Sequence, residues 1–147
     1  MQLLPITNAT ILDHTDVCSS ERIRDTCRSI LTMYPDGKAT DPWLGYLGKG
    51  KGEIIGACGF KTAPVNNCVE IAYFTFPEFE GKGYATKMAT RLIAIAQQHG
   101  IYTITSHTLP QVSASTRILE KLGFIHTGNA RDEKNREVWQ WKLSISA

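Results

Sequence analysis

Apolar residues return every third and fourth position in some stretches of the chain and every second position in others, so helices and strands share it. Ile23, Cys27, Ile30, Leu31 and Tyr34 predict one helix, with Ser19 or Ser20 as its cap, Glu21 in its first turn and Pro35-Asp36-Gly37 as the turn that stops it. Ala85, Met88, Ala89, Leu92, Ile93 and Ala96 form the inner stripe of a longer helix over residues 83–99, ended by Gly100. A third helix is expected over residues 113–122, between Ser113 and Gly123. Strands are expected over residues 3–6, 43–47, 53–60, 69–76, 101–107, 124–128 and 138–145. A turn or short helix fills the residues up to 18, and polar loops fill 61–68 and 129–137. In the last strand Trp139, Trp141, Leu143 and Ile145 alternate onto one face. In strand 69–76, Glu70, Ala72, Phe74 and Phe76 share one face, and Ile71, Tyr73 and Thr75 the other. The helix between strands 69–76 and 101–107 makes a βαβ unit, so these two strands should run parallel. The pattern predicts one α+β domain over residues 1–147, a mixed sheet with helices packed on it.

Composition narrows the function classes. With 147 residues, 42% hydrophobic and 20% charged, the chain can bury a sizeable core as a globular protein. A net charge of +2 with scattered Lys and Arg gives no footprint for nucleic acid. No apolar run is long enough to span a membrane, and the first residues lack the charged flank and apolar segment of a signal peptide. Cys18, Cys27, Cys58 and Cys68 show no CxxC spacing, so neither a zinc site nor a disulfide framework is expected, and reduced thiols in a cytoplasmic protein are.

Glu80-Gly81-Lys82-Gly83-Tyr84-Ala85-Thr86 lies between a strand ending near Pro77 and the long helix. Glycines let the backbone approach a ligand closely, and the amides that open a helix lack internal partners, so a diphosphate is the natural occupant. A P-loop would need GxxxxGK[ST], which is absent. A dinucleotide fingerprint would need a third glycine at Thr86 and an acidic residue just after Gly100, and neither is there. Gly48-Lys49-Gly50-Lys51-Gly52 reads as a hairpin turn, because a strand and not a helix follows it.

This loop resembles the Q/R-x-x-G-x-G/A signature of the GNAT superfamily of N-acetyltransferases. Two further segments agree: Ser115-Thr116-Arg117-Ile118-Leu119-Glu120-Lys121-Leu122-Gly123-Phe124 is similar to a segment of the branch that includes ribosomal-protein-alanine N-acetyltransferases, and Val69-Glu70-Ile71-Ala72-Tyr73 to that branch's EIGY strand. The likeness covers about residues 40–143 and is looser before them. It implies a mostly antiparallel sheet in which the parallel strand pair splays apart around acetyl-CoA. The pantetheine arm would meet the backbone of Phe74, Thr75 and Phe76. The diphosphate would sit on Gly81, Lys82, Gly83, Tyr84, Ala85 and Thr86, with Ser115 flanking the cofactor from the other side. The sequence departs from the family pattern at three positions. Glu80 stands at the first signature position and should turn its side chain outward. Leu119 replaces the tyrosine that serves many relatives as general acid, and Val112 replaces an asparagine.

Acetyl transfer to an amine requires removal of a proton and stabilisation of an oxyanion. Relatives place a glutamate at the position of Glu70, which makes it the candidate base, directly or through water; a structural carboxylate is the alternative. His107 is a second base candidate or a hydrogen-bonded structural histidine. Backbone amides near Phe74–Phe76 would serve the oxyanion. Ser115 is a candidate donor to the departing sulfur, or only part of a helix start, and a thiol of pKa about 8.5 needs little help to leave. Lys82 and Tyr84 reach phosphates or solvent, and Tyr73 lines the acceptor side or fills core. The expected function is acetyl-CoA-dependent N-acetylation of a primary amine, on a small molecule or a peptide α-amine. The alternative is a non-catalytic acyl-CoA-binding sensor or regulatory module. Acceptor selection is expected from residues 20–45 and 129–137, with no metal, nucleic acid or membrane involved and a homodimer left open.

Overall fold

The computed structural model describes residues 1–35 and 39–145. Its elements are β1 (Gln2–Pro5), α1 (Asn8–Asp13), α2 (Thr15–Cys18), α3 (Glu21–Leu31), β2 (Gly45–Gly50), β3 (Glu53–Phe60), β4 (Cys68–Thr75), a short 3-10 turn (Pro77–Phe79), α4 (Tyr84–Gln98), β5 (Thr103–Thr108), α5 (Ala114–Lys121), β6 (Ile125–Arg131) and β7 (Glu137–Ser144). The strands form one seven-stranded sheet in the order β1-β2-β3-β4-β5-β7-β6. Every neighbouring pair is antiparallel except β4 and β5, which the α4 crossover makes parallel. This is the mixed, mostly antiparallel α+β architecture that the sequence predicts.

The helices cover both faces of the sheet. α4 lays Met88, Ala89, Leu92 and Ala96, all buried, into a core shared with Ile55, Val69, Ile71 and Ile104. Each of the larger side chains contributes roughly 1.5–3 kcal/mol by leaving water. α3 packs Ile23, Cys27 and Leu31 with Leu47, Ala57 and Phe76. It lies on the Phe74 face of β4, the face opposite Ile71 and α4. Ser20 caps α3 by accepting the Ile23 N–H at 3.4 Å, while the Ser19 hydroxyl donates to Thr15 O. At the far end of α4, Gly100 takes φ +77°, which lets its own N–H reach Gln97 O and the Ile101 N–H reach Ala96 O.

Several boundaries differ from those read in the sequence. The strand expected over residues 43–47 begins at Gly45 and continues to Gly50, because the Trp43 and Leu44 amides close a turn onto Thr40 O and Pro42 O. The glycine-rich hairpin contracts to Lys51 and Gly52, both at positive φ, while Gly48–Gly50 stay in the ladder. Phe76 leaves the strand and precedes the 3-10 turn, with its N–H donated to Ile55 O at 2.9 Å. β6 runs on through Arg131, since Asn129, Ala130 and Arg131 pair with Trp139, Val138 and Glu137. The charged loop is therefore residues 132–136, where the Asp132 carboxylate accepts the Lys134 and Arg136 amides and the Arg136 Nε–H. Those bonds, the Arg136 amide foremost, lower the Asp132 pKa. In the predicted turn Pro35-Asp36-Gly37, Asp36 and Gly37 lie outside the described residues. Among the described residues, no helix is long and apolar enough to cross a membrane, and no three His, Cys, Asp or Glu side chains gather as a metal site.

Candidate active site

β4 and β5 pair only through Cys68↔Thr103, Val69↔Ile104 and Glu70↔Thr105. One more bond, from the Ser106 hydroxyl to Ile71 O at 3.0 Å, ties them before they part. Beyond it β4 stays on β3 as far as Gly56↔Thr75, and β5 stays on β7 as far as Thr108↔Trp139. Gly56 permits the close approach on the β3 side, because a Cβ there would run into Phe74 O and Thr75 Cα. Each diverging strand is thus held by its outer neighbour, and a cleft opens between them.

The cleft has a volume of about 470 Å³ and reaches from the end of β4 to the starts of α4 and α5. Of the residues expected at a cofactor, Phe74, Thr75, Gly81, Gly83, Tyr84, Ala85, Thr86 and Ser115 line it. Phe76 and Lys82 do not. The Phe76 ring is buried under the Arg22 guanidinium, 3.9 Å from its centroid, and the Lys82 ammonium lies 5.9 Å from the Phe79 ring centroid. The Phe76 amide is also unavailable, being bonded to Ile55 O, so alternation along the strand turns the amides of Tyr73 and Thr75 toward the cleft. This moves the expected backbone donors from Phe74 and Phe76 to Tyr73 and Thr75. Glu80 is exposed, yet its residue forms part of the cleft wall.

Gly81 and Gly83 hold φ of +76° and +82°, the left-handed conformation that glycine adopts without cost. The turn they make delivers the chain into α4, whose first internal bond is Lys87 N–H to Gly83 O. The amides of Tyr84, Ala85 and Thr86 therefore precede the helical ladder and sit at the positive end of its dipole. A Cβ on Gly81 or Gly83 would meet nothing within 4 Å, and both glycines border the cleft together with Tyr84, Ala85 and Thr86. The Thr75 hydroxyl oxygen is buried without a hydrogen-bond partner, while other atoms of the residue line the cleft. An open amide cradle at one end and the unpaired edge of β4 along the wall fit a diphosphate carrying an amide-bearing arm, as in acetyl-CoA.

α5 supplies the opposite wall. Ser113 caps it in a reciprocal box with Thr116, the Thr116 N–H reaching Ser113 Oγ at 3.4 Å and the Ser113 N–H reaching Thr116 Oγ1 at 2.9 Å. That geometry leaves Ser115 exposed at the cleft and buries Leu119 fully. Arg117 also lines the cleft; its cationic type, two positions after Ser115, was the signal for it in the sequence.

Glu70 faces a different cavity, on the α3 side of β4, of about 620 Å³. Its Oε2 lies 2.9 Å from His107 Nδ1 and 3.6 Å from Lys61 Nζ, with the carboxylate side chain 26% exposed. Tyr73 and Phe74 line both cavities, so the two meet at this point of β4. The Tyr73 hydroxyl donates to Ser115 O at 3.4 Å across the cleft, and burial raises its pKa to about 12. Ser115 and Glu70, the two candidate catalytic residues, thus stand on opposite sides of a junction that Tyr73 spans.

No curated protein matches the chain at the level of sequence. Solved structures share its fold. The ribosomal L7/L12 alpha-N-protein acetyltransferase RimL is 18% identical, with 99% of this chain and 93% of that one covered and a TM-score of 0.70. The Escherichia coli ribosomal-protein-S18-alanine N-acetyltransferase is 15% identical, with 87% and 91% covered and a TM-score of 0.65. A spermidine N-acetyltransferase SpeG chimera from Vibrio cholerae and hSSAT is 13% identical, with 98% and 96% covered and a TM-score of 0.70. The model of the acetyltransferase (GNAT) domain matches residues 11–125, well over half of the chain. Splayed parallel strands, a glycine turn feeding free amides and this match together place the chain in the GNAT family of N-acetyltransferases.

Proposed function

We propose that the protein transfers an acetyl group from acetyl-CoA to a primary amine, on a small molecule or a peptide α-amine, by direct attack with Glu70 as general base. The observation that carries this reading is the meeting of two cavities at Tyr73 and Phe74, one with an amide cradle and the other with a carboxylate. The cradle of Gly81, Gly83, Tyr84, Ala85 and Thr86 would hold the diphosphate, with Arg117 adding positive charge, and Thr75 would meet the pantetheine arm. Acetyl-CoA supplies an activated acyl group on a sulfur leaving group.

The residues of this chain do the remaining work. An amine is protonated at neutral pH, with a pKa of about 10.4 for an alkylamine or 7.7–8.0 for an α-amine. Glu70 takes that proton, directly or through water, and Lys61 and His107 keep its carboxylate oriented. The amides of Tyr73 and Thr75 lie along the diverging edge, where they can donate to a developing oxyanion. Tyr73 keeps its proton at neutral pH because burial opposes the phenolate, so it and Ser115 are the hydroxyls available to the sulfur.

A second reading has one observation in its favour. Leu119, at the position where many relatives carry a tyrosine acid, is fully buried, which suits an acyl-CoA-binding module without turnover. Thiol release from acetyl-CoA with a panel of primary amines separates the two: turnover supports the enzyme, and tight CoA binding without turnover on any amine supports the module. For the enzyme, Glu70→Gln should lower kcat by about 10²-fold with the Kd for CoA nearly unchanged. Retained turnover across pH would remove Glu70 from the role of base.

A further inference from the structure

The cavity in front of Glu70 differs from the cofactor cleft in the chemistry of its walls. The Tyr34 and Phe74 rings line it together with Ile30 and Met33, while Phe60 and Tyr73 border it from β3 and β4 with their rings on the opposite face of the sheet. Met33 is 49% exposed and Phe74 44%, apolar side chains left facing water at the cavity rather than in the core. Its volume of about 620 Å³ suits a small organic molecule. The Tyr34 side chain on its wall stays neutral, since burial raises its pKa to about 12.

Charge in this cavity is sparse and partly neutralised. Among the described residues, its charged side chains are Lys61, Glu70 and Glu133. The Glu70 carboxylate is already shared with Lys61 and His107, so it can take one ammonium beside the acetyl site. A second or third ammonium on the same molecule would find Glu133 in this cavity, with Glu21 and Asp25 beyond it in the groove that shares Ile30 and Phe74, and would otherwise lose its water against rings and Met33. An apolar body would instead cover the exposed Met33 and Phe74 surfaces.

Resting on the acetyltransferase reading above, we propose that the acceptor is a small primary monoamine with an apolar, ring-bearing body, held by the Tyr34, Phe74 and Met33 walls with its nitrogen at Glu70. Polyamines and polar peptide N-termini are the disfavoured acceptors.

Steady-state thiol release with phenethylamine, spermidine and an alanine-starting peptide tests this. The expected result is a kcat/KM for phenethylamine about tenfold or more above the other two. Met33→Glu places a carboxylate on an exposed part of the wall and should shift the phenethylamine-to-spermidine ratio several-fold toward spermidine. Equal or better turnover of spermidine or the peptide by the unaltered protein overturns the proposal. If no amine is acetylated, the catalytic reading fails separately, and calorimetric binding to the CoA-saturated protein decides the acceptor class. Phenethylamine binding more tightly than spermidine supports the proposal there, and the reverse order overturns it.

Discussion

Tyr73 stands where the two cavities join, and its hydroxyl is the one ordered across the cleft toward α5. Leu119 packs in the core and offers no proton, while the Ser113 and Thr116 side chains are committed to their capping box. Tyr73→Phe keeps the ring and removes only the donor. It should lower kcat about tenfold, a modest loss because a thiolate needs little protonation to leave, with KM for acetyl-CoA and Tm almost unchanged. An unaltered kcat would assign the donor role to Ser115 alone. The role of Tyr73 is hard to read in sequence, because a tyrosine in a strand is as often core as site. Only the Oη–Ser115 O contact distinguishes the two here.

At the scale of the element, the glycine turn and the first turn of α4 act as one piece. Gly83 sits at φ +82° with open space where a Cβ would be, so a side chain there strains the backbone without striking a neighbour. Gly83→Ala should cost about 1–2 kcal/mol of stability, read as a fall in Tm of several degrees. Relief of that strain would tilt the amides of Tyr84 and Ala85 away from the cleft. The Kd for CoA should then rise by about tenfold, measured by calorimetry, and equal affinity would show that these amides do not carry the phosphates. This piece is legible in the sequence, since a strand, two glycines and an amphipathic helix are all local signals. The boundary at Phe76 is not legible, because its commitment to Ile55 O depends on where β3 lies.

At the scale of the molecule, the core holds several weak acids in neutral form. Burial pushes Cys27 up from 9.0 to about 11 and Cys58 from 9.0 to about 12, and pushes Tyr34, Tyr46 and Tyr73 up from 10.0 to about 12. The unfolded chain loses these protons at lower pH than the folded one, so between the two values it binds fewer protons and stability falls as pH rises. The stabilisation is whole below about pH 9 and is lost progressively toward pH 11–12. Urea midpoints measured from pH 8 to pH 11 should therefore be level at first and then decline. A level series throughout would mean that these groups do not remain protonated in the folded state.

The sequence by itself determined the elements and the glycine turn that opens α4. Helical spacing placed α3, α4 and α5, glycines after their last turns ended α4 and α5, and the βαβ order dictated that β4 and β5 be parallel. These are consequences of local backbone preference and burial periodicity, which neighbouring residues encode directly. Tertiary structure alone decided which side chains meet. Glu70 and His107 are 37 residues apart in the chain, and Tyr73 and Ser115 are 42. It also decided that Phe76 and Lys82 stand outside the cleft, that Arg117 joins it, and that the ring-lined cavity faces Glu70. Such meetings follow from the register and divergence of strands held by different neighbours, a property of the assembled sheet that no single stretch of the chain carries.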